Sequence, residues 1–301
     1  MKRFQKFLGV ALFCPLIAWT QSQSSEGIPV QMVVSVGHFY SEQAPVPTRE
    51  NLTVSEGLAD AQVLEVTPVR SPLELFMLVD QCSSCEPGSK FEELQKFLLS
   101  QAPTTRIGVA YIKDGKLQIA VNPTTDRDRA IKGLSAPEGS KPSNPFVALA
   151  DLIRQWAPDS ARHVVLMISN GLDPAGSQGL RNAPAEAAIE QAERAGVMVF
   201  AMYHPSADYA TADWSKLYDG QVQLAHVATE TGGEAYFLGF GPMPSLAPFL
   251  ADLGDHLANQ YQVQFLARPG AAGNFAEITV KSTDSNVEIM APSRVWVPAG
   301  K

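Results

Sequence analysis

The segment Leu73–Leu99, LELFMLVDQCSSCEPGSKFEELQKFLL, decides how the whole chain is read. Leu73–Val79 is apolar except for Glu74, the pattern of a strand buried on both faces of a parallel sheet. It predicts the central strand. A small polar loop with two cysteines follows. Phe91, Leu94, Leu98 and Leu99 then recur at three- and four-residue steps, with Glu92, Glu93, Gln95 and Lys96 on the opposite side, so an amphipathic helix returns over the sheet. Strand, loop and helix make half of a βαβ unit. In open α/β sheets ligands bind beyond the carboxyl ends of the strands, which makes Asp80–Pro87 the candidate site.

Working outward, Arg106–Lys113 and Lys116–Asn122 flank Asp114-Gly115, a hairpin signal that makes the second an antiparallel edge strand. Short and amphipathic helices are predicted over Thr125–Leu134 and Phe146–Trp156. His163–Ser169 and Val197–Tyr203 are further continuous apolar strands, and the Pro184–Ala195 helix between them has Pro at its start and Gly196 after its end. Gln221–Thr231 reads as helix, Glu234–Leu238 as a fourth parallel strand and Ser245–Asn259 as a last helix. This alternation over 71–260 calls for a doubly wound, mostly parallel α/β sheet. Residues 28–70 have no helical period and carry strands at Val30–Val36 and Gln62–Val66; 261–298 reverts to β at Gln262–Ala267, Glu277–Lys281 and Val287–Met290. Neither flank has enough strands to bury a core alone, so the two are expected to pack together as a small β-sandwich into which the α/β domain is inserted.

Composition narrows the function. The 301 residues are 45% hydrophobic and 18% charged, which is globular, and the formal charge of −8 with no basic patch argues against nucleic acid or an anionic membrane surface as partner. Residues 1–22 read as a secretory signal: Lys2, Arg3 and Lys6 precede the apolar stretch Phe7–Trp19, which is shorter than the roughly 20 residues a membrane span requires. The expectation is an exported, secreted or periplasmic protein with no membrane span in its mature chain. Export leaves Cys82 and Cys85, and a disulfide between them is the simple reading in an oxidising compartment. The five histidines show no zinc-ligand spacing, and neither a Gly-rich phosphate loop nor a Gly-x-Ser-x-Gly elbow occurs.

The order of elements and the loop after the first buried strand resemble a von Willebrand factor type A domain. The flanks, with Ala228–Ala235 (ATETGGEA), Asn259-Gln260-Tyr261 and Val295-Trp296-Val297, resemble the bacterial VWFA-related family of acidobacterial type. The resemblance implies a metal-ion-dependent adhesion site that holds Mg²⁺ with an Asp-x-Ser-x-Ser loop, a Thr from a second loop and an Asp from a third. Asp80 and Ser84 match this pattern, Ser143 stands at the Thr position, Cys82 replaces the first Ser, and Asn170 replaces the second Asp. Mg²⁺ demands hard oxygen ligands, whereas a cysteine sulfur is soft and Asn170 removes a negative charge, so the site is expected to be degenerate and to need no cofactor. Gln81, Ser83, Asn144, Asn170 and Asp173 would then form a metal-independent binding face, and the resemblance implies a protein partner or adhesion in place of catalysis. The alternative is an extracytoplasmic thiol-disulfide oxidoreductase using Cys82-x-x-Cys85. Asp80 and Glu86 beside the pair would raise a thiol pKa and disfavour that chemistry.

Overall fold

The computed structural model describes residues 27–38, 46–80, 88–134, 144–156, 161–173, 182–204, 214–237, 245–270 and 272–300. The amino-terminal strands are β1 (Ile28–His38), β2 (Leu52–Glu56), β3 (Ala59–Ala61) and β4 (Val63–Pro68). The α/β layer follows with β5 (Leu73–Asp80), α1 (Gly88–Ser100), β6 (Arg106–Lys113), β7 (Lys116–Thr124), α2 (Arg127–Gly133), α3 (Pro145–Gln155) and β8 (Arg162–Ser169). It continues through α4 (Ala183–Ala195), β9 (Val197–Tyr203), α5 (Trp214–Glu230), β10 (Ala235–Phe237) and α6 (Ala247–Ala258). The chain closes with β11 (Gln260–Ala267), β12 (Asn274–Ser282), β13 (Val287–Met290) and β14 (Arg294–Val297).

Six strands form the central sheet in the order β10-β9-β8-β5-β6-β7, all parallel except the edge strand β7. All eight residues of β5 are buried, as its unbroken apolar run requires. Its alternate side chains separate two cores: Leu73, Leu75, Met77 and Val79 pack with residues of α1, α2 and α6, whereas Phe76 and Leu78 pack with residues of α3, α4 and α5. That is the doubly wound arrangement expected from the sequence.

The flanks form two four-stranded sheets, β13-β1-β11-β4 and β14-β12-β2-β3, around a shared core that includes Val30, Met32, Val34, Val54, Val263, Phe265 and Ile278. Strands from both ends of the chain therefore pair within both sheets of one sandwich, and the α/β layer is an insertion in it. β2, β3 and β14 are additions to the sequence reading. β2 and β3 are too short to display a period, and β14 stands in the sequence only as the closing Val295-Trp296-Val297 pattern. The α5 helix also begins seven residues before Gln221, because Gly220 lies inside the helix instead of ahead of it.

Glu74 breaks the apolar run of β5, yet it is only 4% exposed. Arg106 pairs with it at 2.7 Å, the Trp156 indole N–H donates to it, and His163 Nε2 stands at 3.5 Å. Trp156 in turn stacks on His163, with ring centroids 4.4 Å apart, and meets Phe76 edge-on at 4.9 Å. A buried carboxylate is tolerated only when hydrogen-bonded and paired, and this one fixes the carboxyl end of α3 against the sheet. Glu74→Ala is expected to cost about 3 kcal/mol in urea unfolding, because it leaves the indole N–H and the Arg106 head without their acceptor. Glu74→Gln should cost less, since an amide oxygen still accepts from Trp156. Equal losses for the two variants would show that charge alone, and not the indole contact, matters.

Candidate functional site

Parallel pairing of β5 with β8 runs to Val79↔Ile168, which brings Asp80 and Ser169 side by side at the carboxyl edge of the sheet. Both are buried, at 5% and 1% exposure. The Ser169 hydroxyl donates to Asp80 Oδ2 at 2.8 Å and accepts from the Gly171 N–H at 3.1 Å. The His204 N–H donates to the Ser169 carbonyl at 2.8 Å, joining the end of β9 to the same point. Three strand ends thus converge on Ser169. At the end of β9, burial pushes the Tyr203 hydroxyl above its ordinary pKa. Tyr203 is therefore a neutral part of the base of the site.

The loop after β8 rests directly on α5. Gly171 has φ +68, and a Cβ there would stand 2.1 Å from the Gly220 carbonyl oxygen. A Cβ on Gly220 would stand 2.2 Å from the Asn170 carbonyl oxygen. Two backbones in such contact admit side chains on neither, which explains why a helix tolerates the propensity cost of glycine at 220. The Asn170 side chain turns onto its own loop, its Oδ1 accepting from the Leu172 N–H at 2.9 Å. This is an Asx turn, and it fixes the direction in which the loop leaves the strand.

Of the expected site residues, the structure brings Asp80 and Asn170 to one edge, and Asp173 lies half-buried on the loop beyond Asn170. Asn144 is the N-cap of α3, where its side chain makes no capping bond. Gln81, Cys82, Ser83, Ser84, Cys85 and Ser143 lie outside the described residues, as does the stretch read as a signal. The residues that sequence reasoning missed are Ser169, read only as the last residue of an apolar strand, and Gly220. Ser169 was discoverable as the last residue of a buried strand beside the strand that ends in Asp80. The Mg²⁺ that the type A resemblance implies can be tested against the described donors. Among the described donors, Asp80 Oδ2 accepts the Ser169 hydroxyl, the Asn170 amide oxygen accepts the Leu172 N–H, and only Asp80 brings a carboxylate to the implied ligand set.

The chain is similar to solved von Willebrand factor type A structures. One is a von Willebrand factor type A protein from Catenulispora acidiphila, with 10% identity, TM-score 0.48, and alignment over 93% of this chain and 76% of that one. Another is the vWF domain of the type V pili tip protein Mfa5 from Porphyromonas gingivalis, with 12% identity, TM-score 0.47, and coverage of 63% and 96%. A third is an aerotolerance-related membrane protein from Bacteroides fragilis, with 13% identity, TM-score 0.45, and coverage of 62% and 98%. No protein-family model and no curated protein matches the sequence.

Two helix-interior glycines give opposite expectations. Gly220→Ala forces Cβ onto the Asn170 carbonyl and should destabilise the protein by about 1–3 kcal/mol. Gly254→Ala in α6 meets nothing within 4 Å and should stabilise it by about 0.5–1 kcal/mol. Thermal unfolding of both variants checks this, and a neutral Gly220→Ala would mean that the loop after β8 does not seat on α5.

Proposed function

We propose that the protein is an exported, non-enzymatic binding protein whose recognition face is the carboxyl edge of the six-stranded sheet, and that its partner is another protein, engaged without a divalent metal. The observation that carries this reading is the convergence of the ends of β5, β8 and β9 on the Asp80–Ser169 hydrogen bond, with the following loop seated on α5 through Gly171 and Gly220. Loops held on rigid strand ends are pre-organised for contact, so little ordering entropy is lost on binding. Asn144, Asn170 and Asp173 supply neutral and acidic polar groups for such a face, and the sequence reading adds Gln81 and Ser83 to it. The type A resemblance of the sequence supports the same class of function. Export is supported by the basic and then apolar composition of residues 1–22.

Photocrosslinking tests the face. A crosslinker at position 144 or 173 is expected to trap the same envelope protein of the source organism, whereas one at Leu58, an exposed sandwich position, should not. Equal capture from both ends would overturn the assignment. Metal independence is tested separately. Millimolar Mg²⁺ or chelator should leave the melting temperature within about 1 °C, because a ligand stabilises only through occupancy of the native state. Cys82→Ser with Asn170→Asp restores a hard oxygen and a second carboxylate, and should acquire Mg²⁺-dependent stabilisation that Cys82→Ser alone lacks. Saturable one-to-one Mg²⁺ binding to the unaltered protein, abolished by Asp80→Ala, would return it to the metal-dependent class.

A further inference from the structure

We infer that Glu234, Asp252 and His256 form a binding site for a divalent transition-metal ion of the zinc type, remote from the carboxyl-edge loops. Asp252 and His256 sit one turn apart on α6, and Glu234 immediately precedes β10, so two elements of the α/β layer supply the set. One ligand atom from each residue lies within 4.8 Å of the other two. His256 Nε2 is 3.3 Å from Glu234 Oε2 and 3.3 Å from Asp252 Oδ2. Charge-assisted hydrogen bonds close to about 2.7–2.9 Å, whereas two ligand atoms about 2.0–2.2 Å from a tetrahedral zinc stand about 3.3–3.5 Å apart. The two contacts of His256 have the spacing of ligands around an ion.

The surroundings add independent support. The imidazole forms the floor, with its side chain 8% exposed, while Glu234 and Asp252 are 43% and 51% exposed at the mouth, so an ion can enter from solvent onto a buried nitrogen. The Tyr236 hydroxyl donates to Asp252 Oδ2 at 2.9 Å, the outer contact that typically orients a ligating carboxylate. Burial pushes that hydroxyl upward in pKa, so it stays a donor. The His256 ring stacks at 6.1 Å on Phe200 of β9, which limits its rotation. From the sandwich, Glu288 of β13 adds a further carboxylate, and Gly37 of β1 packs against the imidazole, since a Cβ there would stand 3.2 Å from His256 Cε1. One imidazole with two carboxylates suits Zn²⁺, Co²⁺ or Mn²⁺ better than the all-oxygen preference of Mg²⁺ or Ca²⁺.

Calorimetric titration of the untagged chain with ZnCl₂ is expected to show one saturable equivalent. Asp252→Asn, at an exposed position where folding is retained, should weaken it at least tenfold, and Glu234→Gln should do the same. His256→Gln should abolish it. Asp80→Ala and the Cys82→Ser, Cys85→Ser pair should leave it unchanged, and Co²⁺ should give visible absorption bands that are lost in Asp252→Asn. Circular dichroism establishes that each variant is folded. Absence of saturable binding overturns the inference, as does binding that survives Asp252→Asn and Glu234→Gln. Zinc binding lost in the cysteine or Asp80 variants would place the ion at the carboxyl edge and would also overturn it.

Discussion

Pro68 and Tyr261 are paired neighbours on adjacent strands, although the whole α/β layer lies between them in sequence. The Val69 N–H donates to the Gln260 carbonyl at 3.0 Å, so the chain leaves the sandwich and returns to it at a single point. Closing so long a loop costs chain entropy, and the antiparallel β4–β11 ladder, extended by β1 from Ile28↔Ala267 to Ser35↔Gln260, offsets it with continuous pairing and a shared apolar core. Once those ends are fixed, β5 must start beside β11, and α6 must end there. Arg162 reinforces the junction: its guanidinium donates to the Leu257 carbonyl at 2.9 Å and to the Gln260 side chain. Gln260 Nε2 in turn reaches Ser35 Oγ at 3.2 Å and Met198 Sδ at 3.4 Å. Sandwich and α/β layer are locked through side chains at the amino end of the sheet, which leaves the carboxyl end clear of the flanks.

Polar groups inside the apolar layers lie where two elements must hold a fixed angle. Glu74 does this for α3. Glu193 does it for α4, whose carboxylate accepts from Arg294 of β14 at 3.0 Å, with burial raising its pKa against the opposing effect of that cation. Arg194 beside it lies over the Trp296 ring at 4.2 Å, so the helix grips the sandwich through an ion pair and a cation–π contact at once. Such contacts specify geometry more than they add stability, because much of the Coulomb gain is offset by desolvation.

Period and punctuation made the α/β layer legible. Unbroken apolar runs became β5, β8 and β9 at nearly the expected bounds, and Asp114-Gly115 gave the β6–β7 hairpin, with Asp114 at φ 51. β2 and β3 escaped notice because three to five residues carry too little alternation. The start of α5 was misplaced because Asp219-Gly220 looks like a stop. The reason for glycine there is the Asn170 carbonyl, fifty residues away in sequence, which no local pattern can reveal. The same limit applied to the site. Asp80 and Asn170 were legible from their positions after strands, but Ser169 takes its role from lateral pairing, which only the folded sheet displays.

Histidine spacing shows why the Glu234–Asp252–His256 set escaped a linear reading. Asp252 and His256 have the i,i+4 spacing of a helical ligand pair, but so do many surface ion pairs, and Glu234 joins them only because β10 is laid against β9 with Ala235 opposite Ala201. At the carboxyl edge, the Ser169 hydroxyl donates to Asp80 Oδ2, and an amide, Asn170, stands on the adjoining loop. Next to the sandwich, two carboxylates with a third nearby converge on one imidazole under partial burial, where charges are screened less than at an open surface. A cation bound there would neutralise the repulsion among Glu234, Asp252 and Glu288, and would bridge α6 to β10. Occupancy would thus bear on the packing of the α/β layer against β13 and leave the loops at the far edge of the sheet unaltered.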